Sequence, residues 1–307
     1  MSLADRQTRT HLMRLFERHG FYPRADLGQN FLIDLNIIDF VVLEAEITRN
    51  DVILEIGAGT GGLTTSLARD AAAVVSVEFD PNMYVLAKEV LSYCPNVTLI
   101  NADALKNKNH LNPEVMSVVE QKLAENPERQ LKLIANLPYA VATPVISNLV
   151  ATNLPWERMV VTIQYELAQR MIAQPKASSN YGSLSIWLQA QCHLKMLKKL
   201  GPQVFWPKPN VDSGIVSILP DLDRQAKIID REFFHDLVRG VFTHRRKHLR
   251  VGLSNHFRDL PKAKIDEAIQ ELGLRPDVRA EQLEPDAFVT LANRFRELVV
   301  EVAPRDE

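Results

Sequence analysis

The sequence predicts an α/β protein, in which an open, mostly parallel and doubly wound sheet is followed by a smaller all-helical domain. Short apolar runs typical of strands alternate with helical patterns from about residue 30 to about residue 220, and this alternation is typical of parallel sheets. Beyond Pro220 the helical periodicity continues without further strand patterns. We therefore predict a sheet domain with an N-terminal helical extension over residues 1–222 and a helical domain over 223–307.

The individual elements follow from apolar runs and their period. Six runs are predicted to be strands: 52–56, 73–77, 97–100, 131–135, 159–163 and 215–219. Helical patterns occupy these segments: 4–20, the residues around 37–42, those following 63 and 81, 233–242, 246–253, 265–272 and 285–299. The polar stretch 106–130 has a helical pattern of its own, and we interpret it as a surface insertion between the third and fourth strands.

Composition excludes several classes of protein. Hydrophobic residues make up 46% of the chain and charged residues 24%, which is ordinary for a globular protein. No apolar run approaches the roughly 20 residues that a membrane span needs. Cys94 and Cys192 are the two cysteines, too few for a disulfide framework or a zinc site, so we expect a cytoplasmic location and no metal. The net charge of −2 neither favours nor excludes a nucleic-acid partner.

A glycine-rich turn follows the first predicted strand. In the segment Glu55-Ile56-Gly57-Ala58-Gly59-Thr60-Gly61-Gly62, glycines allow the backbone to approach a ligand closely, and the following helix presents free N–H groups. The spacing of Gly57, Gly59 and Gly62 also satisfies the dinucleotide-binding fingerprint. The turn therefore predicts a nucleotide-like cofactor without deciding which one.

Acidic residues end the next two strands. Glu78 lies about 20 residues beyond the first glycine, where a carboxylate can accept hydrogen bonds from both hydroxyls of a ribose. Asp103 ends the third strand and can accept one from an adenine amine. A hydride-transfer enzyme would also need a second nucleotide half and a proton donor, and we find neither. NAD enzymes and methyltransferases share an acid at the position of Glu78, but Glu55 before the glycines and the strand-end Asp103 favour S-adenosyl-L-methionine over a nicotinamide cofactor.

The segment Asn136-Leu137-Pro138-Tyr139 follows the fourth strand, at the carboxyl edge where open α/β sheets place their chemistry. The amide carbonyl can accept a hydrogen bond from an exocyclic amine, and the tyrosine ring can stack on a flat base. With a methyl donor bound nearby, this segment predicts methyl transfer to an amine nitrogen, for which adenine is the natural acceptor.

The chain resembles the ribosomal RNA adenine dimethyltransferases of the KsgA (RsmA) type, relatives of the Erm methyltransferases. The resemblance runs from about Gly20 to about Leu291. Five motifs carry it in family order: Gly28-Gln29-Asn30-Phe31-Leu32, the turn from Glu55 to Gly61, Asn136-Leu137-Pro138-Tyr139, Phe205-Trp206-Pro207-Lys208-Pro209-Asn210-Val211-Asp212-Ser213, and Phe242-Thr243-His244-Arg245-Arg246-Lys247-His248-Leu249.

The resemblance implies a Rossmann-like methyltransferase domain and an enzyme that dimethylates N6 of two adjacent adenines near the 3′ end of small-subunit ribosomal RNA. It also implies a monomer that acts on the assembling small subunit. The implied cofactor-binding residues are Gln29, Asn30, Leu32, Gly57, Gly59, Glu78, Asp103, Ala104 and Asn136. The implied catalytic residues are Asn136, Leu137, Pro138 and Tyr139, which hold the target adenine, and Phe205, which stacks on it.

Basic residues are the expected RNA contacts. The segment from Leu237 to Phe257 contains no acid, and phosphate binding depends on such positive charge. The predicted RNA-binding residues are Arg239, Arg245, Arg246, Lys247, Arg250 and Lys208.

Three alternatives stay open from the sequence. One is an Erm-like methyltransferase acting on large-subunit RNA. Another is a non-catalytic RNA-binding assembly factor that retains the cofactor pocket. The glycine turn alone also permits a nicotinamide oxidoreductase.

Overall fold

The structure is a computed structural model that describes residues 8–24, 27–175, 179–245 and 247–302. The described α-helices are α1 (Arg9–His19), α2 (Leu35–Glu44), α3 (Gly62–Ala68), α4 (Pro81–Val90), α5 (Pro113–Ala124), α6 (Ala142–Val150), α7 (Tyr165–Met171), α8 (Ser183–Gln189), α9 (Leu222–Ala226), α10 (Arg231–Phe242), α11 (Leu249–His256), α12 (Lys262–Glu271) and α13 (Pro285–Val302). The described strands are β1 (Phe31–Leu32), β2 (Asp51–Ile56), β3 (Ala73–Glu78), β4 (Val97–Asn101), β5 (Leu105–Asn107), β6 (His110–Leu111), β7 (Gln130–Asn136), β8 (Trp156–Gln164), β9 (Cys192–Leu200), β10 (Phe205–Trp206) and β11 (Ser213–Pro220).

Seven strands form one sheet in the order β4-β3-β2-β7-β8-β11-β9. The five strands from β4 to β8 in that order pair in parallel, and β11 is antiparallel to β8. The predicted fold class is confirmed. The chain crosses from β4, on one side of β2, to β7 on the other, so the topological switch point lies between β2 and β7. Ligands of doubly wound sheets bind in the crevice at that point.

The central strands are buried because helices cover both faces of a parallel sheet. Every residue of β2 and β3 is buried, in agreement with the continuous apolar runs that predicted them. Helix starts follow ordinary capping chemistry. The carboxylates of Asp34 and Asp80, for example, accept backbone N–H groups of the first turns of α2 and α4.

The interpretation of residues 106–130 as a surface insertion is wrong. Helix α5 within this stretch packs on β2 and β3, and its residues Val115, Val119 and Leu123 are buried. It is the crossover helix that joins β4 to β7, as a right-handed parallel connection requires. The short antiparallel hairpin of β5 and β6 lies between β4 and α5 and forms a sheet of its own.

Strand β9 was not predicted. It lies at the edge of the sheet, and its lysines Lys195, Lys198 and Lys199 give the sequence a polar character. Lysines on an edge strand oppose unwanted pairing with other chains. A further two-stranded sheet pairs Phe31 with Trp206 and Leu32 with Phe205, which joins the N-terminal extension to the segment before β11. The part of the predicted first helix before residue 8 lies outside the described residues.

The chain divides into two compact units. Unit 1 comprises residues 1–168 and 195–219, and unit 2 comprises 169–194 and 220–307. The sequence predicts a single domain boundary near residue 222, whereas the structure also assigns the earlier segment 169–194 to the helical unit 2. Within unit 2, Trp187 of this segment packs against Phe234 and His235 of α10, and the Tyr181 hydroxyl donates to the Leu283 carbonyl at 2.7 Å. These contacts explain the assignment of 169–194 to the helical unit.

Cys94 and Cys192 are both free and buried. In the part of the chain that the structure describes, no helix combines the length and the apolar character needed to cross a membrane.

Candidate active site

A cavity of about 480 Å³ opens in unit 1 at the carboxyl ends of the parallel strands. Its walls come from the segment before β1, the glycine turn after β2, the ends of β3 and β4, and the segment that follows β7. This is the switch point of the sheet. A volume of this size lies in the range of about 300–1,000 Å³ that small-molecule sites occupy.

The glycine turn is shaped for close approach. Gly57 and Gly59 both have positive φ, at 86° and 57°. A Cβ on Gly57 would lie 3.1 Å from the ring of Pro138, and one on Gly59 would lie 3.1 Å from the ring of Phe31. Both positions therefore require glycine on conformational and steric grounds, and the absent side chains let Pro138 and Phe31 pack directly against the turn.

Glu78 lies at the cavity with its carboxylate fixed in place. One oxygen accepts the Gly59 N–H at 2.7 Å and the other accepts the Asp80 N–H at 2.8 Å. Burial raises the pKa of this carboxyl, and the two backbone hydrogen bonds partly oppose the rise. Each oxygen keeps a further lone pair, so the carboxylate remains able to accept a pair of vicinal hydroxyls.

Asp103 and Ala104 line the cavity beyond the end of β4. One carboxylate oxygen of Asp103 accepts the Leu105 N–H at 2.9 Å, which fixes the side chain at the strand end. Asp103 is exposed, whereas Ala104 is buried. The structure thus brings both residues to the place where the sequence predicts them.

Glu55 does not line the cavity. The expectation that it favours S-adenosyl-L-methionine through its place before the glycines therefore has no support from a contact at the site. Glu55 is 1% exposed. One of its carboxylate oxygens accepts the hydroxyls of Thr64 and Ser76, both at 2.6 Å. It therefore connects β2, β3 and α3 behind the glycine turn. Burial raises the pKa of the Glu55 carboxyl to about 7, against the lowering effect of the two hydroxyls.

The segment before β1 forms one wall of the cavity. Gln29 lies in this wall, but its amide is used internally: it donates to Asp80 at 2.8 Å and accepts the Arg24 N–H at 2.8 Å. The Asn30 carbonyl accepts the side-chain N–H of Asn136 at 3.0 Å. This last contact fixes the Asn136 amide with its nitrogen toward Asn30, and it leaves the amide oxygen as a free acceptor in the described structure.

The residues after Asn136 hold their backbone rigidly. The Leu137 N–H donates to the Thr162 carbonyl of the neighbouring strand at 3.0 Å, and Leu137 is buried. Pro138 lies against Gly57. Tyr139 is half-buried, its hydroxyl lies 2.8 Å from the Ser213 hydroxyl, and burial raises its pKa. All four residues of the predicted motif line the cavity.

Two predicted site residues lie elsewhere. Phe205 is 2% exposed and packs in the apolar core with Ile37, Val41 and Ile215, so it offers no face to a base in the cavity. Leu32, its partner in the β1–β10 pair, packs against the same core. Successive residues of a strand point to opposite sides, which is why Phe31 and not Leu32 lines the cavity.

Among the wall residues that the sequence did not indicate are the apolar side chains of Phe31, Phe79 and Met83. Phe79 directly follows Glu78 and is 59% exposed, which is unusual for so large an apolar side chain. The sequence does contain a signal for Phe79, because an aromatic residue next to a ribose-binding acid is suited to cover a purine. Met83 and Phe31 also contact the apolar face of α1.

These walls fit S-adenosyl-L-methionine. Gly57 and Gly59 line the cavity with backbone alone, the Glu78 carboxylate suits a ribose, and Phe79 with Ala104 provides apolar surface beside the exposed Asp103 carboxylate. The cofactor, when bound, supplies an electrophilic methyl group.

The predicted RNA-binding residues differ in their surroundings. Arg245 of unit 2 pairs with Glu281 at 2.9 Å, and Arg250 makes a two-point ion pair with Asp266. The exposed residues Arg239 and Lys247 of the same unit, and Lys208 of unit 1, have no acidic partner among the described residues. Arg246 lies outside the described residues.

Comparison with known proteins places the chain in a family. The family model for ribosomal RNA adenine dimethylase matches residues 20–297. A protein of Pediococcus pentosaceus called ribosomal RNA small subunit methyltransferase A is 37% identical over 289 residues, which cover 94% of each chain. One of Bacillus cytotoxicus with the same name is 36% identical over 293 residues, covering 95% of this chain and 97% of that one.

Solved structures agree on the fold. A dimethyladenosine transferase from Plasmodium falciparum superposes with a TM-score of 0.71 at 24% identity, over 87% of this chain and 98% of that one. The 23S rRNA methyltransferase ErmE superposes with a TM-score of 0.60 at 23% identity, over 87% of this chain and all of that one. The extent of the family match and the identity to the bacterial relatives lead to one conclusion: this chain belongs to the ribosomal RNA adenine dimethylase family.

Proposed function

We propose that this protein transfers methyl groups from S-adenosyl-L-methionine to N6 of two adjacent adenines near the 3′ end of small-subunit ribosomal RNA. The observation that carries the proposal is the Asn136 amide. Its N–H end is held by the Asn30 carbonyl, and its oxygen is left as an acceptor at the cavity. A fixed acceptor beside a methyl-donor pocket is what an exocyclic amine requires.

Positioning is the chain's main contribution to the chemistry. The N6 lone pair of adenine is delocalised into the ring, so this nitrogen is a poor nucleophile. Hydrogen bonds from its N–H groups to the Asn136 side-chain oxygen and the Leu137 carbonyl would favour a pyramidal nitrogen and direct its lone pair. Orientation of this kind can contribute roughly 7–11 kcal/mol to lowering a barrier.

A protein base is not required for this step. A neutral amine attacks, and the cationic nitrogen that results is acidic enough to lose its proton to water. The Tyr139 ring would stack on one face of the extruded base, a contact worth about 1–3 kcal/mol. The second face must be covered by a group other than Phe205, because that side chain is buried in the core.

We assign phosphate contacts first to the exposed cations that have no acidic partner among the described residues, Arg239, Lys247 and Lys208. Arg245 and Arg250 must exchange their carboxylate partners before they bind phosphate, so we expect smaller contributions from them. Arg246 remains a predicted contact from its place in the basic segment. We further propose that the substrate is the assembling small subunit, bound by a monomer in the cytoplasm.

The experiment is methylation of under-methylated small subunits with methyl-labelled S-adenosyl-L-methionine, followed by nucleoside analysis. We expect label in N6,N6-dimethyladenosine at two adjacent positions of the small-subunit RNA. Label in large-subunit RNA would instead indicate an Erm-like activity. Bound RNA without any methylated adenosine, in a wild-type protein that binds the cofactor, would indicate a non-catalytic assembly factor and reject the proposal.

A further inference from the structure

The hydroxyl of Tyr139 has one partner in the described part of the chain, and this partner comes from a distant motif. Tyr139 Oη and Ser213 Oγ are 2.8 Å apart. Tyr139 is half-buried at the cavity, whereas Ser213 is fully buried. The ring that faces the cavity is thus tied at its far end to the first residue of β11.

We propose that Ser213 is a positioning residue for methyl transfer, which holds the Tyr139 ring in place against the target base. The inference rests on the proposed function and deepens it. Ser213 itself does not line the cavity, and so it acts through Tyr139.

The backbone around Ser213 is fixed by its pairing with β8 and by the contacts of the preceding residue. Its backbone lies opposite Gln164 in the antiparallel pair of β11 and β8. The preceding Asp212 accepts the Tyr165 N–H on its carbonyl at 2.9 Å, and its carboxylate pairs with Lys199 at 2.8 Å. A hydroxyl on this support has little freedom to move.

The next residue limits that freedom further. A Cβ on Gly214 would lie 2.9 Å from the sulfur of Met196 and 3.3 Å from the Ala168 side chain. The backbone at the start of β11 is therefore in close contact with its neighbours, and it provides a fixed point to which the tyrosine is attached.

The hydrogen bond to Ser213 matters because the backbone alone does not set the position of the ring. The Leu137 N–H and the ring of Pro138 fix the chain up to Tyr139, but a tyrosine side chain still rotates about two torsions. The hydroxyl oxygen lies on the axis of the second torsion, so a hydrogen bond there restricts the first torsion, which decides where the ring lies in the cavity. Small errors in the placement of reacting groups lower rates by large factors, so a ring that is free to swing away from its place would slow transfer to the stacked base.

A purely structural role for this hydrogen bond predicts a different pattern. It would lower the stability of the fold and reduce cofactor binding and turnover together. A positioning role lowers the rate of methyl transfer while S-adenosyl-L-methionine binds as before, and it can be restored by another hydroxyl at the same place.

The test is a double-mutant cycle with Ser213→Ala and Tyr139→Phe, which remove the same hydrogen bond from its two ends. Single-turnover methylation of under-methylated small subunits is measured together with cofactor affinity. We expect each variant to react roughly tenfold more slowly, the double variant to be no slower than either, and cofactor affinity to stay within about twofold. Ser213→Thr should recover most of the rate. Ser217→Ala, a buried serine of the same strand, is the matched control with a wild-type rate.

Wild-type rates for Ser213→Ala or Tyr139→Phe, or losses that multiply in the double variant, would overturn this inference alone. If Ser213→Ala fails to fold, Tyr139→Phe and Ser213→Thr decide by the same criteria. A wild-type protein that produces no methylated adenosine would reject the proposed function and this inference with it.

Discussion

Gly57 contributes to both parts of the site, the cofactor pocket and the segment Asn136-Leu137-Pro138-Tyr139 proposed to bind the base. Its positive φ forms the turn beside the cofactor pocket, and its missing Cβ makes room for Pro138 of the base-binding motif. The same few ångströms of backbone therefore set the distance between the methyl donor and the base.

We expect Gly57→Ala to weaken S-adenosyl-L-methionine binding by at least about tenfold, because the new Cβ meets Pro138 at 3.1 Å and the backbone is strained. Calorimetric titration measures this. Gly273→Ala is the matched control: φ there is 66° and nothing lies within 4 Å of the new Cβ. It should lose about 1 kcal/mol of stability while cofactor affinity is unchanged. Wild-type affinity in Gly57→Ala would contradict this account of the turn.

Phe205 is the residue at which the family resemblance and the structure disagree. Its burial with Ile37, Val41 and Ile215 predicts that Phe205→Leu costs about 1–2 kcal/mol of stability and keeps single-turnover methylation within about threefold. Tyr139→Leu, which removes a ring at the cavity, should lose at least tenfold. A folded, cofactor-binding Phe205→Leu that loses turnover as severely as Tyr139→Leu would show that the phenylalanine does reach the base.

At the scale of elements, Glu55 joins β2, β3 and α3 behind the glycine turn through the hydroxyls of Thr64 and Ser76. Its pKa of about 7 in the fold, compared with 4.5 for the free side chain, means that the folded protein holds a proton which the unfolded chain releases. Stability from this group is therefore greatest below pH 4.5, falls as pH rises toward 7, and is constant above it.

Glu55→Gln keeps an oxygen for both hydroxyls and cannot ionise, so it removes this pH dependence. Between pH 5 and pH 8, the unfolding free energy of Glu55→Gln should rise relative to wild type by about 2–3 kcal/mol. Urea unfolding of both proteins at each pH measures the difference, in which the titrating groups that do not interact with Glu55 cancel. A difference that does not change with pH would mean that Glu55 is ionised throughout.

The elements that could be predicted are those whose sequence pattern matches their burial in the fold. The apolar runs of β2, β3 and β7 are long enough to identify buried strands, and polar residues after them predicted the cavity. Strand β9 was missed because its lysines face solvent at a sheet edge. Helix α5 was misread because only Val115, Val119 and Leu123 of its 12 residues are buried, and the sequence does not show what these three contact.

The site residues also divide into those that the sequence placed correctly and those that it did not. Residues at or just beyond strand ends, such as Glu78, Asp103 and Asn136, were placed correctly because the carboxyl ends of parallel strands converge at one edge. Glu55, Leu32 and Phe205 were not, because their side chains point to the other side of the backbone from the cavity. For Leu32 and Phe205 the strands are only two residues long, too short for a period that shows which side is which.

At the scale of the whole molecule, net charge does not explain RNA binding, since the chain carries −2 overall. RNA binding must instead depend on local groups of cations that have no acidic partner among the described residues. Replacing Arg239 and Lys247 together by alanine should lower the slope of log affinity against log salt by about 1.5, since each phosphate contact contributes roughly 0.7–0.9. Arg250→Ala, which removes a cation already paired with Asp266, should change the slope less. Equal slopes for the double variant and wild type would place the phosphate contacts elsewhere.

The central claim is that the Asn136 amide oxygen and the Leu137 carbonyl hold the amine of the target adenine beside the methyl donor. A crystal structure with a non-reactive S-adenosyl-L-methionine analogue and an RNA fragment containing the two adenines tests it most directly. We predict an extruded adenine stacked on Tyr139, with N6 within about 3.2 Å of both oxygens. An adenine bound outside this cavity, or an Asn136 amide turned away from a base that occupies it, would contradict the account.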